Sequence, residues 1–248
     1  MAQIFCVILV SLVVGISSHG YVESPRSRNY RAHEEGREFD QNGLNSKASS
    51  SNEYGSGVCG VSQARNYDTF LDEWISEGEY TPGGIIEITS RLTAYHGGHF
   101  EIGACAEDEP DQDCFDRNKL LYEGGGHPRD EAYPERAYLG TTSDRGEMYT
   151  HRFRLPPVIR GERVLLQWRY FTGNTCQPDG YNDYFRARGW NPGATGTCDK
   201  STYDDTGGTA PERFWNCIEI TVRGPNDSSM LELPSGPSTS SSTSEDSI

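Results

Sequence analysis

The 248-residue chain is short of positive charge: 22 Lys and Arg stand against 37 Asp and Glu, a net charge of −15. That shortage argues against nucleic acid, whose phosphates would be repelled, and against anionic membrane surfaces. A neutral partner meets no such penalty. Past Val14 there is no long apolar run, so no later segment is long enough to span a bilayer. The C-terminal end has no hydrophobic stretch of the lipid-anchor kind. There is no C-x-x-C spacing, which weakens any zinc reading, and no internal repeat.

What is present begins with the first eighteen residues, MAQIFCVILVSLVVGISS, uncharged and apolar from Ile4 to Val14 before small residues follow. This is the layout of a secretory signal peptide without a basic leader region, and with Ile16 where a small residue is usual. Cleavage after Ser18 makes His19 the new amino terminus. A terminal histidine offers an α-amine and an imidazole nitrogen to one metal ion, which an internal histidine cannot do. The expected organisation is a signal peptide over 1–18, one domain over 19–224 and a tail over 225–248. The expected destination is extracellular, as a soluble secreted protein and a monomer.

Cys6 leaves with the leader, and the six that remain form an even count, which in a secreted chain reads as three disulfides. Counting alone does not choose among the pairings. Nearness along the chain suggests Cys105–Cys114 and Cys176–Cys198, which leaves Cys59–Cys217.

Strand signals dominate. Gly84–Ala94, His99–Cys105, Glu147–Leu155, Arg163–Tyr170 and Phe214–Val222 are rich in β-branched and aromatic residues and are bounded by turn formers. Short antiparallel strands of this kind predict an all-β fold, an immunoglobulin-like or fibronectin-like β-sandwich. Long polar segments, Asn29–Gly57, Ala106–Asp144 and Thr172–Arg213, read as loops, partly tied by the disulfides. Phe70, Leu71, Trp74 and Ile75 suggest a short helix over Asp68–Ile75. The end of the chain, rich in Ser, Thr, Pro and acids, reads as disordered and open to O-glycosylation, with an N-glycosylation sequon at Asn226.

Three segments carry the chemistry. The first is His19-Gly-Tyr-Val-Glu-Ser-Pro-Arg-Ser-Arg28. The second is Leu92-Thr-Ala-Tyr-His-Gly-Gly-His-Phe100, with His96 just past a strand. The third is Glu212-Arg-Phe-Trp-Asn-Cys-Ile-Glu-Ile220. At these residues the chain resembles the lytic polysaccharide monooxygenases, in particular the chitin- and cellulose-active group of bacteria and viruses and the invertebrate group. The resemblance runs from His19 to Arg223. Departures lie in the insertions around Glu34–Ser56 and Gly173–Thr209, which would line the substrate face.

The resemblance implies one copper ion, held by the amine and an imidazole nitrogen of His19 and an imidazole nitrogen of His96. Donor chemistry agrees, since copper heads the affinity order of divalent first-row metals for nitrogen ligands. Phe214 matches the residue that fills the axial face of the metal. Glu212 matches one that hydrogen-bonds an oxygen species there, and Ala94 a small residue on the other axial side. The implied activity is oxidative cleavage of a crystalline, insoluble polysaccharide, chitin first and cellulose second. It uses dioxygen or peroxide and electrons from a small-molecule or protein donor, with hydrogen abstraction at C1 or C4. Tyr54 and Tyr181, in loop segments, are candidates for stacking on sugar rings. Competing readings are a non-catalytic carbohydrate-binding protein, a copper storage or transport protein, and a conventional glycosidase, although no carboxylate pair can be singled out for the last. Ordinary packing accounts for His99, whose alternation with Phe100 fits a strand, and for Trp168, Trp190 and Trp215. His33, His127 and His151 carry no assigned role.

Overall fold

The computed structural model describes residues 20–37, 47–48, 57–60, 67–68, 73–141, 147–191, 195–198 and 210–224. The leader, His19, Tyr54, Asn226 and the tail from 225 onward lie outside the described residues.

Among the described residues, ten strands and three short helices follow in order. They are β1 (Gly20–Ser24), α1 (Arg28–Glu34), β2 (Lys47–Ala48), β3 (Glu79–Tyr80), β4 (Ile85–Leu92), β5 (His99–Cys105), α2 (Gln112–Arg117), β6 (Leu121–Gly124), β7 (Ala137–Tyr138), β8 (Met148–Arg154), β9 (Gly161–Phe171), α3 (Tyr181–Ala187) and β10 (Arg213–Val222). They form two sheets, one ordered β1-β4-β8-β6 and the other β2-β10-β9-β5-β7, with β3 added parallel to β10. The β-sandwich expected from the strand pattern is the fold.

The period of two along each strand decides what meets between the sheets. From the first sheet come Ile86, Ile88, Leu92 and Phe153. From the second come Phe100, Ile102, Leu166, Trp168, Tyr170, Phe214, Ile218 and Ile220, all in one buried cluster. The alternate residues of β5, β9 and β10 face the other way, yet β5 is buried along its whole length. The reason is that α1 and α2 pack against this second sheet and α3 docks on Tyr138 and His99. The outer layer is therefore polar and buried, holding His99, Glu101, Gln167, Arg169 and Glu219. Groups of that kind persist in an interior only when paired. Glu219 takes hydrogen bonds from Arg28 and Arg31, both 2.9 Å.

All three disulfides are present with the pairing expected from chain proximity: Cys59–Cys217, Cys105–Cys114 and Cys176–Cys198. The three long segments, in contrast, are not loops throughout. They contain α1, α2 with β6 and β7, and α3. Ser27 and Asp111 cap the first two helices, accepting from the backbone N–H groups of Tyr30 and Cys114 at 3.2 and 2.7 Å. The helix expected over Asp68–Ile75 does not reach its end, because residues 73–75 are non-helical, and residues 69–72 lie outside the description. Among the described residues no helix is long and apolar enough to cross a membrane.

Candidate metal centre

Gly20, the covalent neighbour of His19, opens β1 and is the register partner of Leu92 at the end of β4. The chain thus enters the sheet where the Thr93–Gly98 turn leaves it. A side chain at Gly20 does not fit, since a Cβ there would lie 2.4 Å from Leu92 Cδ2 and 3.3 Å from the Trp168 ring. That close approach gives the second residue of the opening motif its physical reason. His19 itself is outside the described residues, so its side chain stays an expectation.

The backbone of His96 is fixed from two sides. Its N–H donates to the Tyr170 hydroxyl at 3.1 Å, and its carbonyl accepts from Gly173 N–H at 3.0 Å. The Tyr170 hydroxyl in turn donates to the Gly97 carbonyl at 2.9 Å. Gly98 has φ +93°, and a Cβ there would sit 1.9 Å from the Phe171 carbonyl oxygen. Only glycine lets the turn lie this close to the end of β9. His96 is half-buried and Ala94, two residues earlier, is buried.

The same end of β9 holds the third segment. Thr172 N–H donates to the Glu212 carbonyl at 3.0 Å, and Phe214 is the register partner of Tyr170. Phe214 is fully buried, its ring 5.9 Å from that of Tyr170, whereas Glu212 just before the strand is half-buried. The structure therefore ties the backbones of His96 and Glu212, and the strand position of Phe214, to Tyr170–Gly173, with Ala94 two residues before His96. Tyr170 and Gly173 are members of this arrangement that sequence reasoning missed, and Gly98 enters the sequence reading only as part of a motif. Tyr170 looks like any alternating core aromatic, because its hydroxyl partners lie more than seventy positions away.

Tyr181 does not serve as a stacking platform. It is 2% exposed in the first turn of α3, with its hydroxyl bonded to His99 Nδ1. A ring so enclosed presents no face to a glycan. Phe185 and Tyr138 pack on its ring instead. His99 is a buried strand residue, and it also joins a polar network. Its Nε2 lies 3.0 Å from Glu101, which also meets Lys119 at 2.9 Å, Arg136 at 3.4 Å and Arg169 at 3.6 Å. Burial pushes the His99 imidazole down to about 4, against the opposing pull of its bond to Glu101. Burial also pushes the Glu101 carboxyl up, but the His99 bond and the Arg169 and Lys119 charges prevail and hold it well below the usual range. A neutral imidazole beside an ionised carboxylate must donate from Nε2, so Nδ1 accepts from the Tyr181 hydroxyl.

The donor set suits a nitrogen-bound metal. All six described cysteines are oxidised, so no thiolate competes. A cluster of Cys105, Glu107 and Cys114 lies together, but its two sulfurs are joined to each other. The imidazole of His96 sits on a turn locked by hydrogen bonds; an amine and imidazole from His19, were it terminal, would complete a nitrogen set of the type that favours copper.

A family model shows which family the chain belongs to, and a solved structure shows a similar fold. The family profile described as lytic polysaccharide mono-oxygenase, cellulose-degrading, matches residues 19–220. No match was found among curated proteins. Among solved structures, the fold is similar to a lytic polysaccharide monooxygenase from Thermobia domestica in the Cu(I) state. That match has 22% identity, covers 82% of this chain and 98% of that one, and has a TM-score of 0.54. A chitin binding domain from Burkholderia pseudomallei also aligns, at 13% identity over 84% of this chain and 100% of that one, with a TM-score of 0.43. On the family match over most of its length, the chain belongs to the lytic polysaccharide mono-oxygenases.

Proposed function

We propose that the chain is a secreted, copper-dependent monooxygenase that cleaves glycosidic bonds in crystalline polysaccharide, with chitin as first substrate and cellulose as second. The matched family's description speaks for cellulose, and the motif resemblance for chitin. In this reading residues 1–18 are removed, 19–224 form the catalytic domain, and 225–248 are a Ser- and Thr-rich tail with the Asn226 sequon at its start. The observation that carries the proposal is the end of β9, which ties the His96 turn to Glu212. There the Tyr170 hydroxyl accepts from His96 N–H and donates to the Gly97 carbonyl, Gly173 N–H donates to the His96 carbonyl, and Thr172 N–H donates to the Glu212 carbonyl.

His19 and His96 would hold the ion, and copper bound there supplies the one-electron redox chemistry that turns dioxygen or peroxide into an oxidant for C–H bonds. The protein's part is orientation and protection. The Tyr170 and Gly173 contacts fix the backbone of His96, so its ring starts from a rigid base. Phe214 has no donor atom and would shield the ion by bulk without binding it, and the small Ala94 would leave room beside it. Glu212 offers a carboxylate to hold or return a proton at the oxygen co-substrate. Electrons come from an external small-molecule or protein donor.

The test uses protein beginning at His19, loaded with copper and given ascorbate with β-chitin or cellulose. Mass spectrometry should show oxidised oligosaccharides. Their absence from both polymers, with binding to the solids retained, would make the chain a carbohydrate-binding protein instead.

A further inference from the structure

A cavity of about 580 Å³ opens beside His96. That size falls within the roughly 300–1,000 Å³ of small-molecule sites. One wall is the His96 turn with Gly97, Gly98, Gly140 and Thr141; the other carries Asn174, Gln177 and Thr195. The second wall is braced by the Cys176–Cys198 disulfide and by backbone bonds from Gln177 to Gly196 and from Cys198 to Gln177, both 2.9 Å. Aromatic surface comes from Tyr95 and Phe185.

Two features of the lining narrow the occupant. In a protein of net charge −15 it has, among the described residues, no acidic or basic side chain apart from His96. Its polar groups are hydroxyls and carboxamides, from Thr141, Asn174, Gln177, Asn191 and Thr195. The Thr195 hydroxyl is buried with no hydrogen-bond partner among the described residues, a cost that a bound polar group would relieve. Neutral donors and acceptors over aromatic surface match an uncharged sugar ring and disfavour an anion or an amine. Size then decides which sugar. The volume admits a whole sugar unit on a branch, whereas the backbone of an unbranched chain lying flat on a crystal face stays outside it and offers at most a small side group.

We propose that this cavity is a subsite for a neutral sugar branch next to the cleaved bond, which directs the enzyme toward substituted β-1,4-glycans. The proposal rests on the function above for the position of the cleaved bond and deepens it by naming a substrate class.

Its test is a titration of the copper-free chain beginning at His19, read by heteronuclear NMR. Three probes are compared: a neutral β-1,4-linked oligosaccharide carrying single-sugar branches, the same backbone without branches, and the free branch sugar. The branched probe should bind about 10-fold more tightly than the unbranched one, the scale of one hydrogen-bonded contact. Amide shifts should appear at Gly97, Gly98 and Thr141. Thr141→Trp should fill the cavity and remove that preference without changing affinity for the unbranched chain. Thr195→Val, nearly the same shape, should weaken the branched probe alone. Equal affinity for the branched and unbranched probes, equal affinity for the free sugar, or a preference that survives both substitutions overturns the subsite. Oxidised products from crystalline glycan without a branch preference would sink the subsite and leave the function standing. A branch preference without oxidised products would do the reverse.

Discussion

Tyr170 sits in two environments at once. Its ring packs in the core against Phe100 and Phe214, and its hydroxyl reaches out to the backbone of His96 and Gly97. Tyr170→Phe keeps the ring and deletes the hydroxyl, leaving the Gly97 carbonyl and His96 N–H to find new partners. Stability should fall by about 1–3 kcal/mol, measured by urea unfolding. The Cu(II) electron paramagnetic resonance spectrum should broaden as the histidine turn loses its anchor. A spectrum identical to that of the parent would show that the hydroxyl does not position His96. Glu101 is the residue-scale counterpart on the outer face. Around it three cations and an imidazole converge within 3.6 Å.

Among the elements, β4 and β8 were legible because one face of each meets solvent, so apolar and polar residues alternate. The strands β5, β9 and β10 were legible from their β-branched and aromatic content. Their outward residues, such as His99, Glu101, Arg169 and Glu219, are polar or charged and yet buried beneath short helices. The helices were hidden because six or seven residues give barely two turns of periodicity. β6 and β7 were hidden because four and two residues give too little alternation. In the site, Ala94, His96, Glu212 and Phe214 could be read from local motifs. The bonds that tie His96 to Glu212 run through Tyr170–Gly173, a segment with no motif of its own. Cys59–Cys217 works at this same scale, tying the early chain to β10 across 158 residues. Replacing both cysteines by alanine should cost about 2–5 kcal/mol and lower the thermal midpoint, with little change in copper affinity, since the bond lies on the outer face of β10 away from Phe214. An unchanged midpoint would mean that helix packing alone secures that face.

Taken whole, the molecule is built to be stable at neutral pH and weak in acid. Burial lowers both His99 and His151 from about 6.5 to about 4, His127 adding to the effect on His151. Unfolded, these rings take protons below about 6.5; folded, they resist until about 4. The unfolded state therefore binds more protons within that window, and stability falls as the pH drops through it. For His151 alone the loss approaches 3 kcal/mol at about 1.4 kcal/mol per unit, a large share of the roughly 5–15 kcal/mol a domain possesses. Denaturant midpoints should drop steeply between pH 6.5 and 4.5, and His151→Phe should flatten the slope; a flat profile in the parent would contradict the burial account. Above about pH 6.5 these two rings no longer limit the fold, and the metal site can be judged alone. The most direct test is copper titration by calorimetry near pH 7 on two proteins, one beginning at His19 and one carrying a single extra residue before it. The account predicts one tightly bound copper per chain in the first, lost in the second and in His96→Ala. Equal binding by the extended and the His19-terminated chains would contradict it.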